Sequence, residues 1–96
     1  MLVWVIYDIS EDKIRNRVSR ICLDYGLYRV QKSVFLGDLN GNERDSIALQ
    51  CEEIIDLDTD SVYIFPMDDK SFKKVKLIGQ AFDRDLVSDE VITKFF

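Results

Sequence analysis

The chain begins with a run of apolar residues that stops at a carboxylate. Residues 2–7 read Leu-Val-Trp-Val-Ile-Tyr, and Asp8 follows directly. A short, β-branched run that is apolar at every position is typical of a strand buried on both faces. The run therefore predicts a strand whose rigid backbone holds the Asp8 carboxylate at the strand's exit, within reach of solvent.

The residue types limit the chemistry open to this chain. It has 96 residues, two cysteines and no histidine, so histidine acid–base catalysis, catalytic triads and Cys/His zinc sites are excluded. Cys22 and Cys51 each lie within an apolar helical stripe, where we expect them to pack as small core residues. Any catalysis must then depend on carboxylates, hydroxyls, cations or a metal ion.

Charge is distributed unevenly along a chain whose net charge is −5. From Lys13 to Gly37, six cations and one acid give a net charge of +5, whereas the remaining seven cations and 17 acids give −10. This distribution matters more than the sum, because one basic segment on an acidic body still presents a basic stripe to nucleic acid. A solvated helix face is the alternative interpretation.

The N-terminal run and the chain length also bear on location and assembly. The run is too short to span a membrane and lacks the basic segment and cleavage site of a signal peptide, so we expect a soluble, cytoplasmic protein. A chain of this length buries only about 60–65% of its unfolded surface on folding. We therefore expect a partner subunit to contribute to stability.

The order of the predicted elements indicates the fold. In chain order they are a strand over 2–8, a helix over 11–25, an extended segment over 28–39, a helix over 43–57, a strand over 61–65 and a last strand over 74–79. Ser10 is placed to cap the first helix and Gly26 to end it. This order predicts an α+β, ferredoxin-like β-α-β-β-α-β sandwich over 1–80, with a C-terminal tail over 81–96. Helices on one side leave the other sheet face open, which favours a two-fold homodimer.

The extended segment over 28–39 allows two arrangements. One arrangement is a straight strand with two faces. The face toward the helices then carries Tyr28, Val30, Val34 and Leu36, and the other, polar face carries Arg29, Gln31, Ser33 and Phe35. A hairpin broken near Lys32–Ser33 is the alternative, and the parity then changes beyond the break.

Several stretches of the chain form a pattern when they are taken together. They are Val-Ile-Tyr-Asp-Ile-Ser (5–10), the Arg-x-Arg-Val-x-Arg helix (15–20), Asp-Tyr-Gly-Leu-Tyr-Arg-Val-Gln-Lys-Ser-Val-Phe (24–35), Asp-Ser-Val-Tyr-Ile-Phe-Pro-Met (60–67) and Lys-Leu-Ile-Gly (76–79). Over about residues 1–80, this pattern resembles the CRISPR-associated Cas2 family. These small proteins partner the CRISPR integrase when new spacers are acquired.

The resemblance implies a homodimer whose last strand pairs with the sheet of the dimer mate. It also implies that Asp8 and its two-fold mate bind a divalent ion, Mg²⁺ or Mn²⁺, in a metal-dependent endonuclease acting on RNA or double-stranded DNA. A scaffolding role is implied as well, in which the homodimer holds duplex DNA between integrase subunits. The C-terminal tail is then a candidate contact for the integrase.

Asp8 is the candidate catalytic residue and metal ligand, with helix capping or a salt bridge as its alternative role. The candidate nucleic-acid contacts are Arg15, Arg17, Arg20, Arg29, Gln31, Ser33 and Phe35. At about 100° per residue, Arg17 and Arg20 fall on one flank of the first helix's apolar stripe, together with Lys13, and Arg15 falls on the other. Surface solvation is the alternative for the helix arginines, and dimer packing is the alternative for Phe35.

The resemblance, taken with these candidates, implies three alternative functions. The first is a CRISPR adaptation protein with metal-dependent endonuclease activity centred on Asp8. The second is a non-catalytic homodimeric DNA scaffold, and the third is a regulatory or toxin-like dimer acting on RNA. Because the sequence has no Gly-rich phosphate loop and no base-reading motif, we expect binding that tolerates any base sequence and weakens with salt.

Overall fold

A computed structural model describes residues 1–79 of the chain, in which α1 and α2 cover one face of a four-stranded sheet. The elements are β1 (Leu2–Asp8), α1 (Asp12–Asp24), β2 (Tyr28–Gln31), β3 (Val34–Asp38), α2 (Gly41–Ile54), β4 (Ser61–Met67) and a short α3 (Asp69–Phe72). The strand order is β2-β3-β1-β4, with antiparallel neighbours throughout. This arrangement confirms the ferredoxin-like sandwich, and the predicted tail over 81–96 lies outside the described residues.

β1 is buried on both faces, as its uniformly apolar sequence predicts. Val3 and Val5 are fully buried against the helices, and Leu2 and Trp4 pack on the opposite face. β1 pairs with β3 on one side and with β4 on the other, so its backbone is hydrogen-bonded along both edges. Asp8 is therefore the last residue of a strand that its neighbours hold firmly.

α1 presents the predicted apolar stripe to the sheet, with Val18 and Cys22 fully buried. Gly26 follows the helix with a φ of +79°, a left-handed conformation that glycine adopts without a steric penalty. The predicted N-cap is wrong. The loop before β4 brings Asp60 next to Ser10, whose backbone N–H and hydroxyl donate to this carboxylate at 3.3 and 3.4 Å.

α2 begins at Gly41, two residues earlier than the hydrophobic pattern predicts. The Asn40 side chain accepts from the Glu43 N–H at 2.8 Å, and the Glu43 carboxylate accepts from the Asn40 N–H at 3.0 Å. This capping box satisfies two backbone donors. It makes Asn40 the N-cap of a helix that the sequence predicts to begin only at residue 43.

The two thiols are core groups, as predicted. Cys22 and Cys51 lie in the same buried cluster between the helices and the sheet. Burial raises the pKa of Cys22 to about 12 and that of Cys51 to about 11. Neither thiol therefore ionises near neutral pH, where the thiolate would be the reactive form.

Residues 28–39 form a hairpin that turns at Lys32 and Ser33, which is the second of the two predicted arrangements. The predicted change of parity beyond the break is wrong, since the residues that share the parity of Tyr28 lie on one face in both arms. That face is opposite to the one that the straight-strand prediction gave them. Phe35 lies in the core cluster under the helices, and the residues packed on the outer face are Tyr28, Val30, Val34 and Leu36. The prediction failed because both faces carry apolar side chains, and alternation alone does not say which face the helices cover.

The outer face of the sheet, turned away from α1 and α2, is largely apolar. Trp4 lies near Phe65 of β4 and Phe72 of α3, with ring centroids 6.4 and 6.2 Å apart. Tyr63 and Phe65 nevertheless remain 61% and 37% exposed. This face is therefore only partly covered within the described chain.

The predicted last strand over 74–79 is wrong for the single chain. After α3 the backbone turns and then lies in irregular structure over 75–78, with Leu77 and Ile78 exposed. A strand forms only through ladder hydrogen bonds to a neighbouring strand, and the predicted neighbour belongs to a dimer mate. Pairing with a mate stays a prediction.

Among residues 1–79, the longest helix has 14 residues, which is too few to cross a bilayer as a helix.

Candidate functional site

Asp8 ends β1 and lies opposite Ser61, the first residue of β4. Its side chain is exposed, and within residues 1–79 no hydrogen bond or ion pair engages the carboxylate. Glu11 occupies the N-cap position of α1, so Asp8 does not serve as a helix cap. A carboxylate on a fixed backbone, with its oxygens unengaged, can accept a ligand without first breaking another contact.

A cleft of about 510 Å³ opens beside Asp8, and we call it the strand-end cleft. Its lining residues are Tyr7, Asp8, Ile9, Arg15, Asn16, Ser19, Arg29, Lys32 and Ser33. Three of these side chains are cationic and one is acidic. The balance of charge favours an anionic ligand that lies next to a single carboxylate.

Arg15 holds the loop at the mouth of this cleft. Its Nη1 donates to the carbonyl oxygens of Ile9 and Ser10 at 2.8 and 3.2 Å, and its guanidinium forms an ion pair with Asp12. Arg15 therefore ties the first turns of α1 to the residues that follow Asp8. Only the remaining N–H groups of Arg15 are available for the contact with nucleic acid that the sequence predicts.

Arg29 reaches the cleft from β2 and is held by two groups. Its guanidinium carbon lies 5.1 Å from the centroid of the Phe35 ring, a favourable position for a cation over an aromatic face. Its Nη2 donates to the Ser19 hydroxyl oxygen. The Nε atom is buried and has no hydrogen-bond partner within residues 1–79.

Phe35 is fully buried, with its ring centroid 6.3 Å from that of Tyr7. The predicted contact between Phe35 and nucleic acid is wrong, because the helices cover the face of the sheet on which this ring lies. Phe35 instead forms the apolar surface on which the Arg29 guanidinium rests.

Tyr7 lines the cleft and also packs in the hydrophobic core. Its hydroxyl donates to the Lys32 carbonyl at 3.2 Å. Burial raises the pKa of Tyr7 above its ordinary value of 10.0, and the positive charge of Arg29 offsets part of the rise. The phenol is therefore neutral at neutral pH and links β1 to the β2–β3 turn.

The two remaining predicted contacts on the hairpin differ in position. Ser33 lines the strand-end cleft, and its carbonyl accepts from the Tyr7 N–H at 3.0 Å. Gln31 is half-buried opposite Val34 and lies outside the cleft. Only Ser33 is placed with Asp8.

The predicted helix cations lie on a second surface, the interhelical groove, which has a volume of about 670 Å³ between α1 and α2. It is lined by Lys13, Asn16, Arg17, Arg20, Ile21, Gln50, Glu53 and Ile54. Arg17 and Arg20 therefore share one surface and Arg15 lies on another, as the helical spacing predicts. Asn16 lines both surfaces and marks where they meet.

Five cleft residues were not among the predicted site residues: Tyr7, Ile9, Asn16, Ser19 and Lys32. Ser19 carries a usable sequence signal, since a hydroxyl next to the buried stripe of Val18 and Cys22 needs a polar partner on the sheet. Lys32 lines the cleft only because residues 28–39 fold as a hairpin.

The predicted metal ion, Mg²⁺ or Mn²⁺, can be tested against the groups present. The exposed Asp8 carboxylate is a hard oxygen donor of the kind that such ions prefer. Within the described residues, no three His, Cys, Asp or Glu side chains lie close enough together to hold a metal ion. Since Mg²⁺ is often held by one or two carboxylates plus substrate phosphates, the residues fit a site that a second Asp8 and a substrate complete.

The fold and the site together define the class of this molecule, a small ferredoxin-like α+β protein with an acid at the exit of a central strand and cations around it. The family model described as CRISPR associated protein Cas2 matches residues 1–75. The chain belongs to this family, as the sequence resemblance indicated.

Individual relatives agree with the family match. The chain is 41% identical over 78 residues to the CRISPR-associated endoribonuclease Cas2 of Desulforudis audaxviator, covering 81% of this chain and 74% of that one. It is 42% identical over 67 residues to the endoribonuclease Cas2 1 of Archaeoglobus fulgidus, covering 70% and 71% of the two chains. The crystal structure of Streptococcus pyogenes Cas2 at pH 6.5 superposes with a TM-score of 0.69 and 29% identity, covering 82% of this chain and 100% of that chain.

Proposed function

We propose that this protein is a metal-dependent endonuclease of CRISPR adaptation that cleaves single-stranded RNA as a homodimer. The observation that carries the proposal is the unengaged Asp8 carboxylate in a cleft that three cations line. The names of the relatives, CRISPR-associated endoribonucleases, support RNA as the substrate.

Each group in the cleft has a role that its chemistry supports. Asp8, with the Asp8 of a second copy, binds Mg²⁺ or Mn²⁺, and the bound ion supplies a Lewis acid for the phosphodiester. Arg29 and Lys32 bind phosphate oxygens and balance negative charge that grows during the reaction. Since the sequence has no base-reading motif and the cleft cations suit phosphate, cleavage is expected to tolerate any base sequence.

The outer face of the sheet supports a homodimer. Tyr63 and Phe65 of β4 are exposed there, and Leu77 and Ile78 after α3 are exposed as well. Among residues 1–79, β4 is also an edge strand whose backbone groups on one side have no partner strand. A second copy that covers this face and pairs with this edge removes apolar surface from water and satisfies the free backbone groups.

Asp8→Ala tests the catalytic role directly. We expect cleavage of an end-labelled, single-stranded RNA in Mg²⁺ or Mn²⁺ to fall by about 100-fold or more, with RNA binding in EDTA and the unfolding midpoint unchanged. Asp45→Ala, which removes an exposed acid from α2, is the matched control and should cleave normally. Undiminished cleavage by the Asp8 variant would show that the activity belongs elsewhere.

A non-catalytic DNA scaffold that partners the CRISPR integrase is the second candidate function. The interhelical groove favours it, because Lys13, Arg17 and Arg20 form a basic surface separate from Asp8. A spacer-acquisition assay in cells distinguishes the two functions. Normal acquisition by Asp8→Ala supports the scaffold, and loss of acquisition supports catalysis or a metal-dependent dimer.

A further inference from the structure

Ser19 is the only serine or threonine that is buried within the described part of the chain, with 7% exposed. It lies on α1 beside Val18 and Cys22, which are fully buried. A hydroxyl in such apolar surroundings is stable only when it has a hydrogen-bond partner. That partner is the guanidinium of Arg29, which donates to the Ser19 oxygen from the neighbouring layer of the fold.

The aromatic ring under Arg29 is as firmly placed as the hydroxyl. Phe35 lies directly opposite Arg29 in the β2–β3 ladder, and its fully buried ring packs near Tyr7. The ring cannot move without opening the core. The guanidinium is therefore held by a rigid ring and a buried hydroxyl, which together restrict a side chain that is otherwise long and flexible.

The held guanidinium still has hydrogen-bonding capacity. Within the described residues, Nη2 donates to the Ser19 hydroxyl and the buried Nε has no partner, and the Tyr7 hydroxyl also lies within hydrogen-bonding reach of the guanidinium. Arg29 lines the strand-end cleft together with Asp8 and Lys32. The planar array of N–H groups on a guanidinium matches the oxygens of a phosphate, and a side chain that is ordered beforehand loses little entropy when the anion binds.

We propose that Ser19 is a positioning residue, which orients the Arg29 guanidinium toward a phosphate group bound in the strand-end cleft. Ser19 touches neither substrate nor metal and acts only through Arg29. The proposal rests on the proposed function in one respect, since the phosphate is taken to belong to the nucleic-acid substrate.

A double-mutant cycle on binding tests this role. The variants are Ser19→Ala, Arg29→Met and their combination, and the probe is a single-stranded RNA oligonucleotide with Ca²⁺ in place of Mg²⁺. Ser19→Ala should weaken binding about tenfold when Arg29 is present, as expected for a lost hydrogen bond to a charged group, and less than about twofold in the Arg29→Met background. An equal loss in both backgrounds would overturn the proposal, because it would indicate a general effect on folding.

Two further variants sharpen the cycle. Ser19→Thr keeps the hydroxyl and should restore most of the affinity. Ser46→Ala removes an exposed hydroxyl from α2 and should bind RNA normally. A Ser19→Thr variant as weak as Ser19→Ala, with an unchanged unfolding midpoint, would contradict the role of the hydroxyl.

Nitrogen-detected NMR of the Arg29 Nε–H group tests, in the absence of nucleic acid, whether Ser19 orders the Arg29 side chain. In the wild-type chain this buried proton should exchange slowly with water, and Ser19→Ala should accelerate the exchange by about tenfold or more. Unchanged exchange would overturn the proposal.

The measurements also separate this proposal from the proposed function. A wild-type chain that binds RNA but does not cleave it contradicts the nuclease, and the binding cycle still decides the role of Ser19. A wild-type chain that binds no RNA contradicts the proposed function altogether. The exchange of the Arg29 Nε–H and the response of its signal to inorganic phosphate then decide the role of Ser19.

Discussion

The strand-end cleft and the interhelical groove both carry positive charge, but they hold it in different ways. In the cleft, Arg15 is bonded to backbone carbonyls and Arg29 to a buried hydroxyl over an aromatic ring. In the groove, Lys13, Arg17 and Arg20 are exposed, and within residues 1–79 no hydrogen bond or ion pair restrains them.

This difference indicates that the two surfaces suit different functions. Cations held in place next to a fixed acid suit a chemical step, which needs charges already oriented when the reaction begins. Long, unrestrained cations suit binding to a phosphate backbone whose shape varies, because they adapt to it and release counterions. The comparison therefore predicts that cleavage and strand binding can be impaired separately.

The largest expected effect concerns the ring that supports the cleft. Phe35→Ala should lower the free energy of unfolding by about 3–5 kcal/mol, because it removes a fully buried ring from the core. Urea unfolding measures this loss. Leu49→Ala, at a position that is 58% exposed on α2, should cost less than about 0.5 kcal/mol. Similar costs for the two variants would show that the cleft does not rest on the core.

The second-largest expected effect comes from removing cations of the interhelical groove while leaving the strand-end cleft unchanged. Arg17→Ala combined with Arg20→Ala should weaken binding to single-stranded RNA roughly tenfold for every base sequence. It should also reduce the salt dependence of log K by about 1.4, since each lost phosphate contact contributes about 0.7. Binding titrations between low and moderate salt measure both quantities. The cleavage rate at saturating enzyme should stay unchanged, and a fall in that rate would contradict the separation of the two surfaces.

A smaller effect compares two neighbouring cations of α1. Arg15→Met should lower the free energy of unfolding by about 1 kcal/mol, because the carbonyls of Ile9 and Ser10 lose a charged donor. Lys13→Met, in the groove, should leave stability within about 0.5 kcal/mol of the wild type. Thermal unfolding measures both variants. Equal stabilities would mean that the two cations are equally unrestrained.

The smallest effect is a pH dependence at the loop after Asp8. Asp60 accepts from the Asp56 N–H and from Ser10, which lowers the pKa of its carboxyl below the ordinary 3.8. The resulting stability is present above pH 3.8 and is lost as the pH falls through the lower folded value. Asp60→Asn should therefore flatten the acid limb of stability against pH, measured by urea unfolding.

Asp58→Asn serves as the matched control for this last prediction, since Asp58 is an exposed acid two residues earlier. It should keep the acid limb of the wild-type chain. An unaltered acid limb in Asp60→Asn would show that Asp60 does not hold Ser10 in place.

Much of the fold could be predicted because strong local signals agreed with one another. The apolar run before Asp8, the stripe of α1 and the glycine that ends it are all properties of neighbouring residues. The separation of Arg15 from Arg17 and Arg20 was predictable for the same reason, since helical geometry alone places them on opposite flanks. The start of α2 was missed because the capping box of Asn40 and Glu43 lies outside the apolar stripe from which the helix was predicted.

The failed predictions lie where remote parts of the chain meet. Ser10 has the residue type of a helix cap, but Asp60, fifty residues away, provides its partner. Phe35 has the parity of a solvent-facing residue in a straight strand, but it is fully buried. No local pattern contains either contact.

The sequence by itself determined the central strand, the acid at its exit, the positions of both helices in the chain order and the family. Only the tertiary structure decided that α1 and α2 cover the side of the hairpin that carries Phe35 and Arg29. Alternation defines two faces of a strand, but the covered face depends on how the helices pack against the whole sheet. Ser19 and Arg29 therefore met through packing between layers, which no spacing along the chain encodes.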